Sequence, residues 1–330
     1  MKVLKRILMA IAMVIVIIFG IRTINSYRYP EPYFGFTNQL AESEYPLNDE
    51  FGKINTIDYK LAQGYHMDPS KKSSKGIVIT FGGSEGSSNY DAAYELYKDG
   101  YEVLSLYFFG RKSLPTYLEN VPIEFYSDVE EYMENKNIDT SIVTVLGASK
   151  GAELALLLTQ YYEDIDNLVL YAPSAYVFQG LGMEGENSSW SYGGKPLPYL
   201  AFRNASGKAI YNIISASILN YPISFLESYA SISKEIGPND LEWIYKNEID
   251  GEILVFAGGE DTMWNSAESA KALEDNFKNI ESHIYTRAGH IFGPLTYVNG
   301  LSTGGEVDAN LEAKVDSDMI LKDKLIQWHK

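Results

Sequence analysis

The strongest constraint on the fold is a regular alternation of short apolar segments with amphipathic segments from residue 76 onward. The apolar segments are rich in β-branched residues, whereas apolar residues recur at helical spacing in the segments between them. Six strands are predicted in this way: GIVITFG (76–82), YEVLSLYFF (101–109), SIVTVLG (141–147), NLVLYAP (167–173), GEILVFAGG (251–259) and ESHIYTRAG (281–289). Apolar strands joined by helices predict a mostly parallel central sheet with helices on both faces. Right-handed crossovers then place the carboxyl ends of the strands at one edge, where ligands bind.

The segments around this alternation predict the domain organisation. From about residue 174 to 249 the alternation stops, and this stretch is too long for an ordinary loop. We interpret it as a cap insertion above the carboxyl-end edge of a catalytic domain that extends over 75–330. Residues 25–74 are predicted to be a lead-in with a candidate edge strand, KINTIDYKLAQGY, and a polar loop, MDPSKKSSKG. Helices are predicted at 89–98, 124–135, 150–162, 266–277 and 308–328.

Residues 1–24 predict a membrane segment. Three basic residues precede an unbroken apolar run from Ile7 to Ile21, and no small-residue cleavage pattern follows it. We interpret the segment as an uncleaved anchor in the cell membrane, although the run is shorter than the roughly 20 residues that usually span a bilayer. The basic residues before the run place the N-terminus in the cytoplasm and the catalytic domain outside. A cleaved signal peptide, which would give a secreted protein, is the alternative.

The composition excludes several classes of function. The net charge of −17 argues against a role in binding nucleic acid, which needs clustered lysine and arginine. The absence of cysteine removes disulfides, thiol nucleophiles and thiolate metal sites. The motifs of a phosphate-binding loop and of a zinc protease are also absent. The sequence therefore predicts neither a cofactor nor a metal, and it leaves the oligomeric state open.

The stretch VTVLGASKGAELALLL (143–158) indicates a nucleophile. Its GASKG segment fits the pattern G-x-S-x-G between a predicted strand and a predicted helix, which is the context of a nucleophile elbow. The helix that begins at Lys150 directs its positive end towards Ser149, so the backbone N–H of Lys150 is the first predicted oxyanion donor. The Lys150 side chain is expected to face solvent. The alternative is a tight turn that carries a surface serine.

A nucleophilic serine needs a base and an orienting acid. His290 follows a predicted strand and is the predicted base, the alternative being a loop histidine with local hydrogen bonds. Asp261 follows the strand GEILVFAGG and is the predicted acid; Glu260 is its fallback, and an N-cap for the next helix is the alternative. The other histidines lie before the predicted sheet, within a strand and next to the C-terminal residue: His66, His283 and His329.

The rest of the site is less constrained by the sequence. A second oxyanion donor is expected in the loop GGSEGSS after the first predicted strand, from the Ser84 N–H, with Gly83 equally able to reach the site. Aromatic residues in the insertion and near Asp261 are predicted to line a pocket for an acyl or aromatic group, although half of them would serve equally well as core: Trp190, Tyr192, Tyr199, Phe202 and Trp264.

Several stretches resemble the C-terminal catalytic domain shared by acyl-CoA thioesterases and bile acid-CoA:amino acid N-acyltransferases. They occur in the order of that family and span about residues 75–330: FGGSEGSS, GYEVLSLYFF, GASKGAELALLL, SSWSYGGKPLPYL, GGEDTMWNS, AGHIFGP and GGEVDANLEAKVDS. The resemblance implies an α/β-hydrolase fold. It also implies that the nucleophile of the family falls on Ser149, its acid on Asp261 and its histidine on His290.

The predicted function is that of a serine-dependent acyl hydrolase or acyltransferase. As the resemblance implies, an acyl group from a small ester or thioester would pass through an acyl-serine intermediate to water or an amine. Longer family members carry a β-sandwich domain before the hydrolase domain, for which about 75 residues here leave no room beside an anchor. Because acyl-CoA is cytosolic and the predicted catalytic domain is not, an ester, a peptide-like amide or an amphiphile at the membrane surface is an equal candidate. A peptidase or amidase of the same fold and a non-catalytic surface binding protein are the alternatives.

Overall fold

An eight-stranded sheet forms the centre of the structure, a computed structural model that describes residues 2–30, 45–182, 186–234 and 249–330. Its strands are β1 (Gly52–Tyr59), β2 (Ala62–Pro69), β3 (Ile77–Phe81), β4 (Val103–Tyr107), β5 (Val143–Ala148), β6 (Asn167–Tyr171), β7 (Ile253–Gly258) and β8 (Ile280–Tyr285). They are ordered β1-β2-β4-β3-β5-β6-β7-β8. The first two pair antiparallel and the last six are parallel, which confirms the mostly parallel sheet.

Helices cover both faces of this sheet, as predicted. The described helices are α1 (Lys2–Arg28), α2 (Tyr90–Lys98), α3 (Phe125–Lys136), α4 (Lys150–Leu158), α5 (Gly207–Leu219), α6 (Leu226–Ser233), α7 (Ser266–Glu274) and α8 (Val307–Trp328). Alternate residues of β3 serve two separate cores, because successive side chains of a strand point to opposite faces. Ile77 and Ile79 pack with α3, α4 and α7, whereas Val78 packs with α2 and α8.

The beginning of the sheet differs from the prediction of one edge strand. KINTIDYKLAQGY contributes to two strands, which pair from Gly52↔Pro69 to Tyr59↔Ala62 across a two-residue turn. Lys60 adopts a left-handed φ of 49° in this turn. The sheet therefore begins within the predicted lead-in, and His66 lies in β2 rather than before the sheet. Its Nε2 lies 2.8 Å from the Glu102 carboxylate, so this buried histidine has a structural partner.

The C-terminal helix closes the face of the sheet that α2 also covers. Leu321 and Leu325 of α8 belong to the core on this face. The last turn is fixed by His329, whose Nδ1 donates to the Lys75 carbonyl at 2.6 Å and whose Nε2 accepts from the Thr144 hydroxyl at 2.8 Å. The C-terminal end of the chain is thus hydrogen-bonded to the amino ends of β3 and β5.

The insertion (174–249) contains two α-helices, a short 3₁₀ helix (Phe202–Asn204) and a short hairpin in its described parts. The hairpin strands Trp190–Tyr192 and Lys195–Pro196 pair with each other, and the first of them also pairs with Val121–Pro122, which gives a small separate sheet. The N–H groups of Phe225 and Leu226, at the start of α6, both donate to the Thr262 carbonyl at 3.1 Å. These bonds hold α6 against the loop that follows β7.

Candidate active site

The turn between β5 and α4 holds Ser149 in a strained backbone conformation. Its φ is 54° and its ψ is −117°, a region that residues other than glycine rarely occupy. The Ser149 N–H donates to the Tyr171 carbonyl of β6 at 2.8 Å, and its carbonyl accepts from Ala152 and Glu153. The first N–H groups of α4 precede any intrahelical partner and lie beside the serine. This is the geometry of a nucleophile elbow.

The two glycines of GASKG are required by close backbone approach. A Cβ on Gly147 would lie 2.2 Å from the Gly151 carbonyl oxygen, across the turn itself. A Cβ on Gly151 would lie 2.1 Å from the Gly82 carbonyl oxygen, at the end of the neighbouring strand β3. Since real Cβ contacts are never this short, any side chain at either position would push the turn away from its neighbours. The steric reason for the motif is therefore specific to each glycine.

The structure brings the three predicted catalytic residues together. The Ser149 hydroxyl lies 2.9 Å from His290 Nε2, and His290 Nδ1 lies 2.8 Å from Asp261 Oδ2. The other carboxylate oxygen of Asp261 accepts from the N–H groups of Met263 and Trp264 at 2.9 and 3.2 Å. Its orientation is thereby held from both sides. The structure gives the predicted alternatives no such contact: Asn265 rather than Asp261 caps α7, and the Glu260 side chain is exposed.

The loop that carries His290 is supported by α8. Buried Asn310 accepts from the Gly289 N–H at 2.7 Å and donates to the Leu295 and Gly304 carbonyls, each at 3.4 Å. His290 itself donates its N–H to the Thr303 carbonyl at 2.7 Å. The sequence did not single out Asn310, although it lies within the stretch GGEVDANLEAKVDS. The supporting role of this buried amide becomes recognisable only once the fold places α8 beside the His290 loop.

The loop after β3 lies against the serine. A Cβ placed on Gly83 would be 3.2 Å from the Ser149 Cβ. The Gly83 N–H donates to the Glu85 carboxylate at 2.9 Å, and Ser87 donates to the same oxygen at 2.5 Å. Of the two donors predicted in this loop, Gly83 is therefore engaged, which leaves the Ser84 N–H as the candidate.

The expectation that the Lys150 side chain faces solvent is wrong. Its ammonium is buried and contacts the Glu153 carboxylate at 3.0 Å and the Ser189 hydroxyl at 2.9 Å. Glu153 also accepts from the Trp190 indole N–H at 2.7 Å. Burial lowers the pKa of Lys150 and raises the pKa of Glu153, because desolvation disfavours both charged forms. This polar cluster joins α4 to the insertion. The sequence alone does not reveal which surface of the insertion is buried there.

A cavity of about 790 Å³ opens beside Ser149 and extends between α2 and α8. Its apolar wall includes Leu96, Leu146, Phe292 and Leu321. Its outer part carries charged side chains of α2 and α8: Asp91, Glu95, Lys314, Asp318 and Lys322. Among the residues that the structure describes, no group of three or more His, Asp or Glu side chains is arranged to hold a metal ion.

The aromatic residues predicted as pocket linings do not line this cavity. Trp190 is fully buried against Glu153, and Tyr192 is exposed and packs on Tyr161 with ring centroids 4.4 Å apart. Trp264 is buried, donates to the Ala172 carbonyl at 3.1 Å and packs against the His290 ring. Tyr199 and Phe202 are likewise absent from the lining. The described part of the insertion contributes no residue to the cavity, whose walls come from α2, α8, the ends of β5 and β6 and the loops after the strands.

The fold and the site together define a class. A mostly parallel sheet with this strand order and a strained serine between β5 and α4 is an α/β-hydrolase fold. A solved structure of similar architecture is an esterase of Pyrococcus furiosus, which covers 84% of this chain and 94% of its own, with a TM-score of 0.52. The two sequences are 14% identical, so this similarity shows the fold alone.

The family within this class follows from the sequence. The family model for the C-terminal region of BAAT and acyl-CoA thioester hydrolases matches residues 121–297, more than half of the chain. The chain therefore belongs to this family, which confirms the resemblance carried by its motifs.

Three curated relatives show how far the similarity extends. The chain is 23% identical over 270 residues to acyl-coenzyme A thioesterase 3 of Mus musculus, covering 76% of this chain and 58% of the relative. It is 22% identical over 283 residues to the bile acid-CoA:amino acid N-acyltransferase of Mus musculus, covering 80% and 62%. A match to acyl-coenzyme A thioesterase 6 of Homo sapiens reaches 30% identity over 105 residues, 32% of this chain and 25% of the relative. The chain thus spans less than two thirds of the length of each.

Proposed function

We propose that the protein is a serine-dependent acyl hydrolase or acyltransferase that acts through an acyl-serine intermediate. The observation that carries this proposal is the continuous hydrogen-bond chain from the Ser149 hydroxyl through His290 to Asp261. It lies at a strained turn and opens into a cavity large enough for an acyl chain. Membership of a family named for acyl-CoA thioester hydrolysis and acyl transfer supports the same chemistry.

Each group in the site has a role in the proposed reaction. His290 Nε2 takes the proton of the Ser149 hydroxyl as the oxygen attacks the acyl carbonyl, and the Asp261 carboxylate holds the proton on Nδ1. The oxyanion that forms would accept from the N–H groups of Lys150 and Ser84. When the intermediate collapses, His290 returns its proton to the leaving group. Water or an amine then attacks the acyl-serine by the same steps in reverse.

The charges of the cavity favour a neutral acyl ester over a CoA thioester. Its lining has four carboxylates, against the two lysines Lys314 and Lys322. Both lysines are already paired with carboxylates, of Asp318 at 2.8 Å and Asp99 at 2.9 Å. CoA carries several phosphate charges, which need unpaired cations or helix N-termini for binding. We therefore propose an uncharged ester or amphiphile as the acyl donor.

We further propose that α1 anchors the protein in the cell membrane, with the catalytic domain (75–330) outside. The helix is long and apolar enough to cross a bilayer, and its apolar window is not buried by the rest of the protein. Its last turns, by contrast, take part in the fold: Asn25 is buried and donates to the Leu219 carbonyl at 2.8 Å. A helix whose end stabilises another helix favours a retained anchor over a removed signal peptide. The insertion at about 174–249 stays a proposed cap over the domain.

The test of the nucleophile is labelling with a fluorophosphonate probe, which reacts with activated serines. We expect the wild-type protein to be labelled and Ser149→Ala to be inert, because the Ser149 hydroxyl is the one that His290 Nε2 would activate at 2.9 Å. Ser141→Ala, an exposed serine near the opposite end of β5, is the matched control and should label like wild type. Equal labelling of wild type and Ser149→Ala would contradict the proposal. With an amine present in the assay, an amide product would identify an acyltransferase.

A further inference from the structure

Helix α5 has a composition that does not match its exposure. Its sequence, GKAIYNIISASIL, has one charged residue, Lys208, and no acidic residue. A helix that is apolar around most of its circumference is normally buried in a core or in a membrane. Here only Ala209 of its thirteen residues is buried. This helix therefore presents to its surroundings a surface that water does not favour.

The exposed apolar residues of α5 form one continuous stripe. Ile210, Ile214 and Ile218 recur at intervals of four and lie on one face, with relative exposures of 53, 52 and 47%. Tyr211 lies beside the stripe and is 70% exposed, and Tyr221 extends it just beyond the helix. Large apolar side chains at this density on one surface mark a contact with another apolar phase.

This stripe adjoins the proposed membrane anchor. Arg22, the first residue after the apolar run of α1, donates to the Ser217 and Ile218 carbonyls at 2.9 and 3.1 Å. Asn25, one turn further on, donates to the next carbonyl of the same helix end, that of Leu219. The C-terminal end of α5 therefore lies at the level where the apolar run of α1 ends. For a spanning helix, that level is the interface between the hydrocarbon and the lipid headgroups.

The side chains at this junction have the character of a membrane interface. Tyr29 packs against Tyr221 and Tyr297, with ring centroids 5.9 and 5.5 Å apart, and Tyr27 is exposed. Tyrosine is enriched at the headgroup level, because its ring is apolar and its hydroxyl is polar. Arg28 adds a cation at the same level, where it can meet lipid phosphates.

We propose that α5 is a second membrane-binding element, which lies in the plane of the outer lipid interface with the stripe Ile210–Ile214–Ile218 inserted among the acyl chains. Interfacial helices have an apolar face and a cationic polar face. Helix α5 has such an apolar face, no acidic residue and one cation, Lys208, which pairs with Glu227 at 2.7 Å. Together with α1, it would fix the orientation of the catalytic domain on the membrane, because two separate contacts remove the rotation that a single anchor allows. This inference rests on the proposed anchor and commits to lipid as the occupant of the stripe.

The absence of cysteine allows a direct test on the whole protein. Ile214→Cys would be labelled with the environment-sensitive dye NBD and the full chain reconstituted into phosphatidylcholine–phosphatidylglycerol liposomes. Two matched aliphatic controls carry the same label: Val14→Cys in α1, and Val315→Cys, an exposed valine of α8. We expect blue-shifted NBD emission at positions 14 and 214, quenched by lipids with a nitroxide on the acyl chain. Position 315 should keep the emission of a dye in water.

The outcomes separate this inference from the proposals that it depends on. Quenching at position 14 without quenching at 214 would overturn the role of α5 and leave the anchor intact. No quenching at position 14 would overturn the anchor, and with it the inference. Blue-shifted emission at position 214 that lipid nitroxides do not quench would also overturn the inference. A second copy of the protein or another part of this chain would then cover the stripe instead of lipid. Fluorophosphonate labelling of Ser149 in the same samples tests the catalytic proposal independently.

Discussion

At the scale of single residues, the start of α4 shows what could be predicted from the sequence and what could not. The proximity of Ser149, Asp261 and His290 could be predicted because each follows a strand, and strand ends of a parallel sheet meet at one edge. The burial of the Lys150 side chain could not be predicted, because it depends on Ser189 and Trp190, about forty residues later. No local pattern reveals that a polar helix start will be covered by a distant hairpin. The backbone of this lysine and its side chain therefore serve separate purposes, one facing the serine and the other the insertion.

The buried ion pair of Lys150 and Glu153 predicts that substitutions at the two positions have coupled effects on stability. Lys150→Met leaves the Glu153 carboxyl buried without its ion pair and should lower the free energy of unfolding by about 3–5 kcal/mol. Adding Glu153→Gln should recover much of this loss, because the amide still accepts from the Trp190 N–H without a charge. Urea denaturation of both variants and of Glu153→Gln alone measures the coupling.

An exposed pair of the same spacing provides the control. Lys98 and Glu95 are three residues apart on α2 and form an exposed ion pair, so Lys98→Met should change stability by about 1 kcal/mol or less. If the losses of the two single variants at 150 and 153 simply add in the double variant, Lys150 and Glu153 do not act as a unit.

At the scale of helices and strands, the sequence predicts the elements of the sheet well and the walls of the site poorly. Most of the parallel strands carry short apolar runs rich in β-branched residues, so their positions agree with the prediction. The end of β2 was not predicted, because its last residues belong to the polar stretch MDPSKKSSKG. Strand β2 is formed by pairing with β1 and β4 rather than by an apolar pattern of its own. The aromatic residues predicted to line a pocket do not line the cavity beside Ser149 for a related reason: which helices flank a strand end depends on the topology of the whole sheet.

A narrowed cavity should discriminate between acyl chain lengths. Ala92 of α2 lines the cavity, and Ala92→Phe would fill part of the space that an acyl chain needs. Each CH₂ group that can no longer be buried costs about 0.8 kcal/mol, so two of them lower kcat/KM about tenfold. We expect this loss with the p-nitrophenyl laurate ester and little change with the acetate.

The control for this variant is Tyr192, one of the aromatic residues that the sequence predicts to line a pocket. Tyr192→Ala removes an exposed ring outside the cavity and should leave the ratio of laurate to acetate activity unchanged. If Tyr192→Ala lowers that ratio and Ala92→Phe does not, the acyl chain lies under the insertion instead.

At the scale of the whole molecule, stability should depend on pH through His329, which joins the end of α8 to the sheet. Burial lowers the pKa of His329 below its ordinary value of about 6.5. Below pH 6.5 the unfolded chain therefore binds more protons than the folded protein, so the free energy of unfolding falls as the pH falls. The contribution of this group has a slope of at most about 1.4 kcal/mol per pH unit.

His329→Gln isolates that contribution, since glutamine can keep one donor and one acceptor but does not titrate. The stability of wild type relative to this variant should decrease between pH 7.5 and 5.5, as measured by urea denaturation in detergent. A stability difference that is the same at both pH values would mean that His329 does not titrate on unfolding.

The support that Asn310 of α8 gives to the His290 loop has a consequence for when, during synthesis, the protein becomes active. The hydrogen bonds of Asn310 mean that the proposed site is complete only when α8, the last described helix, has been synthesised. Helix α1, by contrast, is the first described element to leave the ribosome, and domains assemble as their segments emerge. If α1 enters the membrane as proposed, a growing chain is attached to lipid well before its serine has a supported base. Activity would then appear only at the membrane, and no shorter nascent fragment would hydrolyse esters on the way there.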